Sequence, residues 1–141
     1  MNGVGQKKKN MTPPFSVAEN RGSLRDTELF GAFLREKREA CGMKLRALAD
    51  ILGISPAYLS DVEKGRRYPF SFDILKKISS ALSISKEDER KMFDYAGVSK
   101  GSAPPDVCEC LRTSPSAVAF FREAMERYCA GCGWGDLLAR L

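Results

Sequence analysis

The side chains best suited to covalent or metal chemistry are five cysteines, Cys41, Cys108, Cys110, Cys129 and Cys132, in a chain with no histidine. The last four run C-x-C, eighteen intervening residues, then C-x2-C. The second half has the spacing of a zinc ribbon, while the first is one residue short of the usual knuckle. On a helix, neighbours two apart point in different directions, which is poor geometry for Cys108 and Cys110 to grip one ion. Structural zinc on Cys108, Cys110, Cys129 and Cys132 therefore stands against the plainer reading of free thiols, with a redox switch as a third use of the same residues. Lacking histidine, the chain has no His-based triad, general base or ligand. No nucleophile sits beside a base and no carboxylate pair frames a cleft, so the expectation is a protein that is not an enzyme and carries no cofactor.

A second set of residues suits binding. Lys44, Lys64, Arg66 and Arg67 bracket a short segment in the first two thirds of the chain. The 23 Lys/Arg and 18 Asp/Glu give a net charge of +5. The excess is confined to residues 1–100, since residues 101–141 carry four basic against five acidic side chains. Such a balance fits a polyanionic partner, and a solvated surface produces the same number.

The elements that must hold these residues are helical throughout. Residues 1–26, with Lys7, Lys8 and Lys9 and scattered Gly, Pro and Ser, have no hydrophobic period and read as a disordered arm. Thr27 is a plausible N-cap for a helix carrying Phe30, Phe33, Leu34 and Cys41 and ending at Gly42. Leu45, Leu48, Ala49 and Leu52 form the buried strip of a second helix, which Gly53 stops. Ser55 and Pro56 open a third with Leu59 and Val62 inward, ended by Gly65 and a basic loop. Ser71 opens a fourth (Ile74, Leu75, Ile78, Ala81, Leu82), and Ser85 a fifth (Met92, Phe93, Ala96) that Gly97 closes.

Residues 99–107 have linker composition, and residues 108–141 read as a helical extension. There Ser114 and Pro115 start a helix with Val118, Phe121, Met125 and Tyr128 inward, and Trp134, Leu137, Leu138 and Leu141 recur at helical spacing beyond it. The longest apolar run, Ala117 to Phe121, is too short for a membrane span or a signal core, so a cytoplasmic protein without a membrane partner is expected.

Residues 45–64 satisfy a stricter pattern. Two short helices that cross closely need a small residue on the first, which Ala49 supplies, and a turn residue able to take positive φ, which Gly53 supplies. Leu48, Leu52, Ile54, Leu59 and Val62 fill the wedge between them.

With these positions in place, LREKREACGMKLRALADILGISPAYLSDVEKGRRYP resembles the lambda-repressor-like, XRE-type helix-turn-helix regulators of bacteria and phages, over about residues 27–97. The resemblance implies an all-α fold, a five-helix DNA-binding domain at 27–98 followed by the short helical extension. It implies that the helix near Ser55–Lys64 enters the major groove of double-stranded DNA. By position, Ser55, Pro56, Ala57, Tyr58, Ser60 and Asp61 would then lie nearest the bases or flanking phosphates. Arg38, Lys44, Lys64, Arg66 and Arg67 would be phosphate ligands, and Arg38 with Glu63 a structural ion pair.

The chain departs from the family in two places. Lys44-Leu45 stands where Thr-Gln is usual, and Pro56-Ala57 stands where purine-binding amides are common, which leaves apolar contact with thymine methyls. The function implied is a sequence-specific transcriptional regulator, most simply a repressor occupying its operator as a homodimer, with the extension as a dimerisation element. The alternative is a protein-interaction module, antitoxin-like or anti-repressor, that retains the fold.

Overall fold

The structure is a computed structural model that describes residues 24–129. Among the described residues every regular element is an α-helix: α1 (Leu24–Ala40), α2 (Leu45–Leu52), α3 (Pro56–Glu63), α4 (Phe72–Ala81), α5 (Lys86–Ser99), α6 (Pro105–Thr113) and α7 (Pro115–Cys129). The fold is all-α, as expected. None of these helices is long and apolar enough to cross a membrane.

Helix α1 begins at Leu24, one turn before the expected N-cap at Thr27. Thr27 is buried inside the helix, and its hydroxyl donates to the Gly65 carbonyl at 2.7 Å. The side chain that looked like a local cap is a tie to a distant loop. Further along, Phe30, Leu34 and Arg38 are all buried and successive by four, so one stripe of α1 faces the core.

The α2–α3 turn follows from its residues. Gly53 takes φ 69°, a left-handed conformation costly for any side chain with a Cβ. The Gly53 N–H donates to Asp50 O and the Ile54 N–H to Ala49 O, satisfying carbonyls that the end of α2 would otherwise leave open. Two residues later the Ser55 hydroxyl accepts the Tyr58 N–H at 3.2 Å, with Pro56 at the first helical position. Leu48, Ala49 and Leu52 of α2 and Leu59 and Val62 of α3 are buried between the two helices and their neighbours.

Helices α4 and α5 complete the core with Leu75, Ile78, Leu82, Met92, Phe93 and Ala96. Helix α5 packs along α1, where Phe33 and Tyr95 meet edge to face with ring centroids 5.6 Å apart. The Ser99 hydroxyl lies 2.8 Å from Asp26 O and 2.7 Å from Tyr95 O, fixing the end of α5 against the start of α1. Gly97 does not close α5; the helix continues to Ser99, and the backbone of Ala103 and Pro104 turns back onto Gly97 so tightly that a Cβ there would lie 2.8 Å from Pro104 N. The non-helical connection is residues 100–104, shorter than the 99–107 expected from composition.

Helix α6 packs on α4 and α5, whereas α7 packs chiefly on α6. The expected inward face of α7 is therefore only partly inward. Val118 is half-buried and Ala124 is buried, but Phe121 and Met125 are exposed together with Phe120. The side chain of Tyr128, residues 1–23 of the arm expected to be disordered over 1–26, and the helical element expected around Trp134, Leu137, Leu138 and Leu141 lie outside the described residues, while residues 24–26 of that arm are helical.

Candidate nucleic-acid interface

Helix α3 is held from behind by α1. Gly31 makes the close approach possible: a Cβ at this position would lie 2.5 Å from the Val62 carbonyl oxygen and 2.6 Å from that of Glu63. Arg38, two turns along α1, reaches the same end of α3. Its Nε donates to Glu63 Oε1 at 2.7 Å, Nη2 to Glu63 Oε2 at 2.9 Å and Nη1 to the Met43 carbonyl at 2.9 Å. The two side chains are only 10% and 5% exposed, and the hydrogen bonds to Glu63 push the Arg38 guanidinium above its ordinary range. Each of the three guanidinium nitrogens of Arg38 is thus hydrogen-bonded within the protein.

The opposite side of α3 faces outward. Ser55, Pro56, Ala57 and Lys64 are exposed, while Tyr58, Ser60 and Asp61 are half-buried. Tyr58 is placed by its neighbours: its ring meets that of buried Phe70 edge to face at 5.6 Å, and the Arg67 guanidinium lies over it at 5.6 Å. Asp61 projects from the next turn towards both loop arginines. Its Oδ1 is 3.7 Å from Arg66 Nη1 and its Oδ2 is 3.9 Å from Arg67 Nε.

Lys44 is exposed at the N-cap of α2, where the backbone is extended and no side chain caps the first turn. Open N–H groups at a helix start attract anions. Arg46 is also exposed at this helix start and is not among the residues singled out by type and spacing. The signal was available, since Leu45, Leu48, Ala49 and Leu52 take the inner face and leave residue 46 outside. Gly31 is not among them either, although a lone glycine between Phe30 and Phe33 within a helical pattern is a mark of close packing.

The cysteines are not drawn together among the described residues. Cys41, Cys108 and Cys110 are exposed free thiols, the Cys41 thiol lying 3.1 Å from Leu82 O and the Cys108 thiol 3.6 Å from Ala103 O. No group of three or more Cys, Asp or Glu with metal-holding geometry occurs among the described residues. Cys132 and the side chain of Cys129 lie outside them, so the four-cysteine arrangement is not among the features described.

Two short helices joined by a left-handed glycine, the second presenting a polar face and followed by an arginine loop, define a helix-turn-helix protein. Comparison with known proteins agrees. The Helix-turn-helix family model matches residues 34–88. An uncharacterized HTH-type transcriptional regulator of Mycobacterium tuberculosis is 37% identical over 83 residues, 59% of this chain and 56% of that protein. The HTH-type transcriptional regulator DdrOP3 of Deinococcus deserti is 32% identical over 83 residues, 59% of this chain and 64% of that protein. The ImmF control region 10 kDa protein of Bacillus phage phi105 is 31% identical over 87 residues, 62% of this chain and 94% of that protein. The chain belongs to the lambda-repressor-like, XRE-type helix-turn-helix family. It spans a little over half the length of the mycobacterial relative.

Proposed function

We propose that this protein is a sequence-specific DNA-binding regulator of transcription. The observation that carries the reading is that α3 packs on one side against α1 and α2 and is open on the other, where Lys64 ends the helix and Arg66 and Arg67 reach Asp61, while Lys44 stands exposed at the start of α2. A helix of this length fits the major groove, where its first residues meet base edges. Ser55, Pro56, Ala57, Tyr58, Ser60 and Asp61 are assigned to this reading surface. Lys44, Lys64, Arg66 and Arg67 are assigned to phosphates, with Arg46 added, and Arg38 is assigned to holding Glu63 rather than to DNA.

The simplest mode of action is repression by occupancy, with a homodimer reading two half-sites in the cytoplasm, and binding is the only chemistry required. What supports a dimer is the set of exposed apolar side chains on α7, Phe120, Phe121 and Met125. Arg122, Glu123, Glu126 and Arg127 place both signs of charge along the same helix, with Arg127 paired to Glu123, so this face carries no single-sign charge that would repel a second copy. The second reading, a protein-interaction module that retains the fold, draws on the exposed Pro56 and Ala57, which offer no hydrogen-bonding side chain to a base.

Selection of bound duplexes from a random DNA pool separates the two. Enrichment of a motif with two related half-sites is expected; a pool that stays random after repeated rounds contradicts DNA reading.

A further inference from the structure

We propose that Asp61 sets the sequence discrimination of this interface by competing with DNA phosphates for Arg66 and Arg67, an inference that rests on the DNA-binding reading above. A carboxylate on the outward face of a helix that meets DNA is otherwise a liability, because it repels the phosphates on both sides of the groove. Asp61 is placed so that this repulsion is masked in the unbound protein. Its two oxygens sit 3.7 Å and 3.9 Å from the two guanidinium groups, on the helix that would enter the groove.

The hold is loose. Both separations exceed the range of a charge-assisted hydrogen bond, and Arg66 and Arg67 are 68% and 60% exposed. Exposed pairs of this kind contribute little, so a phosphate that offers closer bonds takes the arginines over. Arg67 needs little reorganisation for the exchange, because the ring of Tyr58, backed by Phe70, already supports its guanidinium.

Partner exchange leaves Asp61 without its cations. The carboxylate, 36% exposed on α3 even with the arginines beside it, then faces an environment dominated by phosphate charge. Only a hydrogen-bond donor on the DNA offsets this cost. In the major groove cytosine and adenine both show an amino donor, but adenine sets the N7 lone pair beside it, which opposes a carboxylate, so the amino group of cytosine is the donor suited to Asp61. A site with cytosine opposite Asp61 restores what the exchange removed, and a site without it does not. One side chain thereby weakens binding to arbitrary DNA and favours one base.

The test uses the full chain, a duplex from the selected pool and a scrambled duplex, with affinities measured by fluorescence anisotropy for wild type, Asp61→Asn and Asp61→Ser. Both variants are expected to bind the scrambled duplex several-fold more tightly than wild type. The ratio of selected to scrambled affinity is expected to fall on the order of tenfold, the scale of one lost base contact. Unchanged or weaker binding to the scrambled duplex, with the ratio retained, in variants whose circular dichroism and melting match wild type, overturns the inference while leaving DNA reading intact. A wild-type chain that enriches no duplex overturns both.

Discussion

Arg38 and Glu63, twenty-five residues apart in sequence, meet as a two-pronged pair that ties the last turn of α1 to the last residue of α3. The pair is nearly buried, and a guanidinium stripped of its carboxylate there keeps the Met43 carbonyl but loses its close counter-charge. Glu63→Ala should therefore cost about 3–5 kcal/mol of stability, read from the urea midpoint. Replacing both partners with apolar residues, Arg38→Met with Glu63→Leu, should recover much of that loss. A single substitution costing less than about 1 kcal/mol would mean the pair behaves as an ordinary surface contact.

Gly31 presents the opposite case, a position where nothing can be added. In an exposed helix, glycine to alanine gains about 1 kcal/mol. Here the new methyl would meet two backbone carbonyls of α3, which cannot swing away as a side chain can. Gly31→Ala should destabilise the fold by about 1–3 kcal/mol, and it should weaken binding to the selected duplex beyond what the unfolded fraction explains. A melting temperature at or above wild type would show that α3 moves freely.

Much of this frame is legible in the sequence because it is local. The Gly53 turn, the Ser55 cap with Pro56, and the spacing of Leu48, Ala49, Leu52, Leu59 and Val62 declare themselves within a few residues of chain. What the sequence hides is set by distant partners. Thr27 looks like a cap and instead bonds Gly65, and Gly97 looks like a helix end and instead receives the backbone of Pro104. Phe121 and Met125 have core spacing, yet α7 lies mainly on α6, and no periodicity says whether an apolar stripe faces its own domain or another chain. The approach of Asp61 to Arg66 and Arg67 depends on the path of the loop after α3, which side-chain types alone do not specify.

Arg66 and Arg67 are assigned to phosphates, which carry no sequence information. Replacing both with alanine should weaken binding to selected and scrambled duplexes alike. The slope of log affinity against log salt should become shallower by about 2, one unit for each lost phosphate ligand. Unchanged affinity and slope would remove the loop from the interface.

Acid should loosen the α4–α5 packing through Glu89. Hydrogen bonds from Lys76 at 2.5 Å, then from Ser79 and Lys86, pull its carboxyl from the ordinary 4.5 down to about 2. Because the folded value is depressed, the stabilisation is fully present above the unfolded value near 4.5 and is lost as pH falls through about 2. Roughly 2 kcal/mol is at stake once the water reaching Lys76 and Lys86 is allowed for. Denaturant midpoints measured from pH 6 to pH 2 should fall less steeply for Glu89→Gln than for wild type; parallel curves would contradict the assignment.

The exposed face of α7 is assigned to a second copy of the chain. Phe120→Ser combined with Met125→Ser should convert a dimer to a monomer in sedimentation equilibrium while leaving the helical circular dichroism in place. A wild-type chain that stays monomeric at tens of micromolar, or a variant that stays dimeric, would remove α7 from that role.

Base reading by α3 is tested by titrating the wild-type chain with the selected duplex and its scramble at several salt concentrations. The selected duplex is expected to bind on the order of a thousandfold or more tightly at physiological salt, with both affinities falling as salt rises. Equal affinities that fall together with salt would reduce the interface to general attraction between a basic surface and phosphate, and would contradict base reading by α3.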